Sequence, residues 1–348
     1  MTTESTIDVG ISSRVLPPCD GYEAVVGSTA LPVSYELERR WAGRPGLLAS
    51  ICHYALVPSG KLFRPMLLLE SALAVGGTVD TVLPAAVGAE CGHVASLIHD
   101  DIIDGDDLRR GRPSVPYAYG IADAIVAGDA LIFDLFAGLA ECRLAGAPAE
   151  RVVAALDAVA QAGLDLCRGQ SMEAELHTDR SFDLGSYLTM ISLKTAALFR
   201  GACQCGALLG GGSHEQVRAL YDFGEYLGLA FQMHDDLLPY VSDTESTGKP
   251  QTSDVKNGRL TLPIILAHRA STPGEQRLLW DALFAPGDAA DAMAVVADVF
   301  DRTGAIANAT RLAQRYARQA REALDVLPAT PSRDRLCGLA DLAISRGN

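Results

Sequence analysis

Two apolar stretches end in aspartates. The first, VASLIHDDIIDGDDLRRGRPS, runs from Val94 to Ser114; the second, GLAFQMHDDLLPYVSD, runs from Gly228 to Asp243. Asp100 and Asp104 are four residues apart, so on a helix they share a face about 6 Å apart along the axis, with Asp101 about 100° round. Like charges at this spacing repel. Unpaired carboxylates beside the wall Ala95-Ser96-Leu97-Ile98 are also costly. A hard divalent cation resolves the conflict, since Mg²⁺ takes oxygen ligands and commonly bridges one or two carboxylates to substrate phosphates. The plainer reading is a solvated acidic helix end. Against it stands the run from Asp106 to Pro113, which sets Arg109, Arg110 and Arg112 within one loop of the carboxylates. Arginine grips phosphate oxygens bidentately.

Asp235 and Asp236 repeat the pattern: HDDLL follows an apolar helical run as HDDII does. Two such helices facing each other across a bundle would put two carboxylate clusters around one cavity, a layout suited to metal-held diphosphate above an apolar pocket. Pro239 stands four residues after Asp235, and Asp243 four further on. Proline has no N–H for the Asp235 carbonyl, and its ring disfavours a straight helix. The helix is therefore expected to kink or end near Leu238.

The elements that must hold these residues are helical. Hydrophobic residues make up 49% of the 348, charged residues 21% and aromatics only 6%, a balance that permits a large core and favours helices over a β sandwich. Helical periodicity predicts elements at 34–41, 62–75, 82–104, 122–144, 148–176, 184–209, 215–238, 260–269, 279–302 (broken near Pro286), 306–327 and 335–344. No alternation persists long enough for a sheet, and no linker divides the chain, so one all-α domain over 31–348 is expected after a loose segment, 1–30. Gly210-Gly211-Gly212-Ser213 has no phosphate-loop lysine after it and reads as a helix–helix turn.

A net charge of −14 argues against nucleic acid as a partner. The eight cysteines form no CxxC pair and read as buried small hydrophobes in a reducing compartment. Without a basic flank leading into an apolar run at the N-terminus, and without an uninterrupted apolar stretch of about 18 residues, neither signal peptide nor membrane span is expected. The expected location is the cytoplasm.

An ordered set of motifs resembles the all-trans polyprenyl diphosphate synthases, relatives of geranylgeranyl and farnesyl diphosphate synthases, from about Leu31 onward. The set is Gly60-Lys61-Leu62-Phe63-Arg64-Pro65; His93 seven before Asp100; DDIIDGDDLRRGRPS; Lys194-Thr195; Phe231-Gln232-Met233-His234-Asp235-Asp236; Gly248-Lys249; and Asp254 to Arg259. One DDxxD is a weak signal; the set in this order is a specific one. The resemblance implies a helical bundle of the isoprenoid synthase type around a central apolar cavity, and condensation of isopentenyl diphosphate with an allylic diphosphate. It makes Asp100, Asp101 and Asp104 Mg²⁺ ligands for the allylic diphosphate, with Asp235 anchoring the third of three ions and Asp236 beside it. Arg109 resembles the arginine holding that diphosphate. Lys61, Arg64, His93 and Arg110 resemble the isopentenyl diphosphate site, while Lys194, Thr195, Gln232 and Lys249 look like allylic-side contacts. Arg259 stands where the family usually has lysine, and Pro239 where it usually has a third carboxylate.

The residues below the first motif are small, Ala95 and Ser96 with Gly92 and Cys91 a turn deeper; short-chain members of the family that the chain resembles carry a bulky aromatic there, so the resemblance implies a product of at least twenty carbons, with geranylgeranyl diphosphate first, although another helix, such as 129–136, could instead set the floor. A homodimer is implied by the resemblance. Two rival readings remain: a class I terpene cyclase or a prenyltransferase with another acceptor, and a non-catalytic subunit modulating a synthase. Lys61, Arg64 and His93 count against a cyclase, and the intact first motif against the subunit.

Overall fold

The computed structural model describes residues 30–241, 255, 257–285 and 287–344. Lys249, Asp243, Asp254, Lys256, Cys19 and nearly all of the expected loose segment lie outside the described residues. Among those described, almost every element is helical. The chain opens with α1 (Ala30–Trp41), α2 (Leu47–Leu56), α3 (Phe63–Ala74) and the long α4 (Val79–Asp104). A two-residue ladder follows, β1 (Leu108–Arg109) antiparallel to β2 (Arg112–Pro113). Then come α5 (Val115–Tyr119), α6 (Ile121–Glu141), α7 (Ala149–Thr178), α8 (Leu184–Ile191), a π segment (Ser192–Ala196), α9 (Ala197–Gly210) and α10 (His214–Asp235). The rest comprises α11 (Leu238–Val241), α12 (Leu262–Ala270), α13 (Pro273–Phe284), α14 (Ala289–Thr303), α15 (Ala305–Ala323) and α16 (Pro331–Ala343).

The all-α expectation holds, with four local corrections. Helices α2 and α5 fall in stretches given no element. The expected single helix 184–209 is interrupted by the π segment. The small ladder was not anticipated, because two-residue strands leave no alternation to read. And α10 stops at Asp235, three residues before the expected break.

Helix α4 lies in the middle, packed along α3 and α6 and touching α9. It is the one described helix long and apolar enough to cross a membrane. Val82, Ala85, Ala86, Val87, Cys91, Val94, Ala95 and Ile98 are nonetheless buried in the main core with Met66, Leu67, Leu131 and Phe199, so its apolarity is used inside the protein. That is the pattern of a helix surrounded by other helices. Two smaller cores finish the C-terminal half, one around Tyr187, Met233 and Leu262 and one around Ile264, Leu279 and Phe300. Caps fix the starts that matter: Ser213 and Gln216 form a reciprocal box at α10, satisfying two backbone donors that lack helical partners. Among the described cysteines no disulfide forms; five are buried, as read from sequence, but Cys167 is exposed and Cys337 half-buried.

Candidate active site

Asp100, Asp101 and Asp104 occupy the last turn of α4, which Gly105 ends in a left-handed conformation at φ 67°, donating its N–H to the Asp101 carbonyl. A helix C-terminus carries negative partial charge, so three carboxylates there concentrate like charge and call for cations. Two come from the chain. Arg109 Nε donates to Asp101 Oδ1 at 2.8 Å, and its terminal amine pairs with the same oxygen. Across the cleft, Arg259 donates to Asp104 at 3.1 Å. Burial pushes the Asp100 carboxyl up; Lys194 pulls it down, and Asp104 and Glu173 push it up again. Among the described residues no three His, Cys, Asp or Glu side chains converge to hold an ion alone. The all-oxygen donors and crowded carboxylates fit Mg²⁺ whose shell is completed by phosphate oxygens.

The β1–β2 turn aims the arginines. Arg110 and Gly111 are its two central residues, at φ 53° and 74°. A two-residue turn of this hand needs positive φ at both positions, so glycine suits the second and Arg110 is held in a conformation that side chains seldom adopt. Arg112 clasps the turn to α2: it donates to the Val57 carbonyl at 3.0 Å and stacks 4.2 Å over the Tyr54 ring. Arg110 lies against Gly60, where a Cβ would stand 2.7 Å from the guanidinium carbon.

A second basic group forms beside the first motif. Lys61 is exposed just ahead of α3, and Arg64 on its first turn sits 4.8 Å over the Phe199 ring. A helix N-terminus already favours anions. Burial, then Arg64, Arg110 and Arg109, hold His93 well below its usual 6.5, so it is neutral. Glu90, one turn earlier on α4 and missed in the sequence, is fully buried; burial raises its carboxyl while Arg110 and Arg64 lower it. Its Oε2 and the Nδ1 of His93 are buried without a hydrogen-bond partner.

Lys194 and Thr195 sit in the π segment. Such one-turn insertions recur at functional sites, and no composition signal marks this one. Lys194 pairs with Glu173 of α7, and Thr195 donates to Gln232 Oε1 of α10 at 2.8 Å. A Cβ at Gly169 would fall on the Lys194 backbone, and one at Gly228 on Ala196, so the segment is gripped where glycine lets backbones touch.

Asp235 is the last residue of α10 and half-exposed, whereas Asp236 is buried. Asp236 Oδ1 accepts from Gln232 at 2.9 Å, and its Oδ2 accepts from Tyr187 at 2.7 Å and from the Leu262 N–H at 2.9 Å. These donors engage both oxygens and tie α8, α10 and the start of α12 together, at odds with the expectation that Asp236 is a metal ligand. Pro239 lies in the separate turn α11.

Of the two residues expected to govern pocket depth, Ala95 is fully buried, while Ser96 is partly exposed and donates to the His93 carbonyl at 2.7 Å. Ala89, Gly92, Ser96 and Asp100 follow each other at helical spacing and are all partly exposed, a stripe descending from the motif. The Gly92 position offers little depth, for a Cβ there would stand 2.8 Å from Leu135 of α6.

The polyprenyl synthetase family model matches residues 45–299. A short chain isoprenyl diphosphate synthase of Methanothermobacter thermautotrophicus is 38% identical over 303 residues, 87% of this chain and 91% of the relative. A geranylgeranyl diphosphate synthase of Methanosarcina mazei is 36% identical over 304 residues, with the same coverage of each. Among solved structures, a polyprenyl synthase from Caulobacter crescentus, complexed with calcium and isoprenyl diphosphate, superposes with a TM-score of 0.84 at 30% identity, covering 96% of this chain and all of the other.

Proposed function

The chain belongs to the polyprenyl synthetase family and is a prenyltransferase of isoprenoid biosynthesis; from that premise we propose that it extends an allylic diphosphate with isopentenyl diphosphate to geranylgeranyl diphosphate. The observation that carries this reading is the pairing of two basic groups with one carboxylate turn. Lys194 and Arg109 act on the Asp100 to Asp104 turn, and Arg64, Arg110 and neutral His93 gather beside it. Two diphosphates need two such anion sites. A cyclase, which ionises one diphosphate, has no use for the second.

Lys194, Thr195 and Arg109 would hold the allylic diphosphate over Asp100. Lys61, Arg64 and Arg110 would hold isopentenyl diphosphate, with His93 donating as a neutral imidazole. Mg²⁺, three ions in all, held by Asp100, Asp104 and Asp235 together with diphosphate oxygens, and not by Asp101, which was also expected as a ligand but pairs with Arg109, would supply the charge neutralisation that lets the allylic C–O bond break. Water must be kept from the allylic cation; the isopentenyl double bond attacks it, and the departing diphosphate takes the proton lost.

A homodimer is part of the proposal. Ile125, Val126 and Phe133 of α6, with Val153 and Leu164 of α7, stand 44–73% exposed, apolar side chains that a second copy could cover.

The test is product analysis by mass spectrometry, with Mg²⁺, isopentenyl diphosphate and, separately, dimethylallyl, geranyl and farnesyl diphosphates. Elongated diphosphates ending at twenty carbons are expected. Hydrocarbon released from an allylic diphosphate alone would favour a cyclase, and no turnover a partner-dependent subunit. Ser96→Phe should shorten the product, because Ser96 lies on the partly exposed stripe one turn below Asp100. Ala95→Phe should instead destabilise the fold by about 1–3 kcal/mol through overpacking.

A further inference from the structure

One buried arginine holds the π segment from behind. Arg200, on the first turn of α9, is 5% exposed. Its Nη1 donates to the Ser192 carbonyl at 2.8 Å and to Glu225 Oε2 of α10 at 2.7 Å, and its Nη2 donates to Asp165 Oδ2 of α7 at 2.7 Å. The Ser192 hydroxyl donates to the same Glu225 carboxylate. Thus α7, the π segment, α9 and α10 meet at one guanidinium. The same two flanking helices carry Glu173 and Gln232, the partners of Lys194 and Thr195.

A π turn contains one residue more than an α turn. Were it to relax to α-helical register, side chains on one side would rotate by about 100° against those on the other. Lys194 and Thr195 could not then face α7 and α10 as they do. Ser192 opens the segment, and its carbonyl is the one Arg200 takes. We propose that Arg200 is a positioning residue: by binding the Ser192 carbonyl while anchored to Asp165 and Glu225, it fixes the π register that turns Lys194 and Thr195 toward the allylic diphosphate. This rests on the reading of Lys194 and Thr195 as allylic-side contacts. The planar fork matters, since it reaches two carboxylates and a carbonyl in fixed directions; the point charge of lysine does not reproduce that geometry.

The experiment measures KM for farnesyl diphosphate, KM for isopentenyl diphosphate, kcat and the thermal midpoint in the full-length enzyme, for Arg200→Met, Arg200→Lys, Glu225→Gln and the comparator Lys194→Ala. Arg200→Met should raise the allylic KM about tenfold, the scale of a lost charge-assisted hydrogen bond, with isopentenyl KM within about twofold of the parent. Arg200→Lys should recover only part of that loss. Glu225→Gln, which keeps size and shape, should raise the same constant by about threefold and serves if the methionine variant does not fold. If Lys194→Ala raises the allylic KM while the Arg200 and Glu225 variants lower only the midpoint and kcat, the arginine is merely structural and the inference fails while the site reading stands. If Lys194→Ala leaves the allylic KM unchanged, the site reading fails and the inference with it.

Discussion

Asp235 and Asp236 are one residue apart and about 100° apart round α10, and that rotation divides their work. Asp236 turns inward, where Gln232, Tyr187 and the Leu262 N–H donate to its oxygens. Asp236→Ala should therefore cost about 2–4 kcal/mol of unfolding free energy, because it strands buried donors, and leave the Mg²⁺ concentration for half-maximal rate unchanged. Asp235→Ala should do the reverse. Urea unfolding and Mg²⁺ titration of both variants separate the roles. His93 offers a test of the second anion site. Its imidazole is held below the usual 6.5, so below that pH the unfolded chain binds a proton that the folded one refuses. Stability then rises with pH through this window and falls on acidification. Between about pH 7.5 and about 5.5 the parent should lose about 1 kcal/mol from this residue, and His93→Gln should lose correspondingly less in urea unfolding at the two pH values. Glu90, with its carboxyl raised, works in the opposite sense but is common to both proteins, so the difference isolates His93.

The end of α10 is the element that proline reshapes. Pro239 cannot donate to the Asp235 carbonyl, and the helix closes earlier than that missing bond alone requires: the Leu237 N–H turns back to the His234 carbonyl at 3.0 Å, tightening the last turn. Asp235 is thereby left at the helix end without a carboxylate one turn further on. Pro239→Asp should restore both the N–H and a further carboxylate beside Asp235 and lower the Mg²⁺ needed for half-maximal rate; an unchanged titration would place the metal elsewhere. Proline and the aspartates carried this message in the sequence. Apolar periodicity likewise located α4, α6 and α10 to within a few residues. Other elements were silent for physical reasons. The π segment uses ordinary helix formers, Ser-Leu-Lys-Thr-Ala, and is gripped by Gly169 and Gly228 of distant helices and by Arg200 of the adjoining helix, which is itself anchored on Asp165 and Glu225. Glu90, Glu173 and Tyr187 acquire their places only when helices far apart in sequence pack, so no local spacing could nominate them. Helix α2 is short, and its apolar residues gave too few turns for a period.

At the scale of the whole molecule, α6 has two faces with different work. Its inner residues Ala124, Ala127, Leu131 and Leu139 are fully buried and let it lie along α4. Its outer residues Ile125, Val126 and Phe133 are exposed, Phe133 at 73%, in a protein whose net charge is −14. Single exposed apolar residues are ordinary, but several gathered on one helix face are the kind of surface that takes a partner. A second copy is the occupant that the homodimer proposal supplies, and a stable interface buries about 800 Å² per partner, an area that requires α7 with Val153 and Leu164 as well as α6. The stripe also reaches toward the chemistry. Asp129, on the same outer face, stands 3.7 Å from His99, the residue before Asp100. Phe133→Asp should put an unpaired charge in the middle of the interface, shift the protein to monomers in sedimentation velocity at micromolar concentration, and lower the rate of prenyl transfer by loosening α6 behind the first motif. A variant that sediments as the parent does would move the interface away from α6, and monomers with full activity would show that one chain completes the site alone.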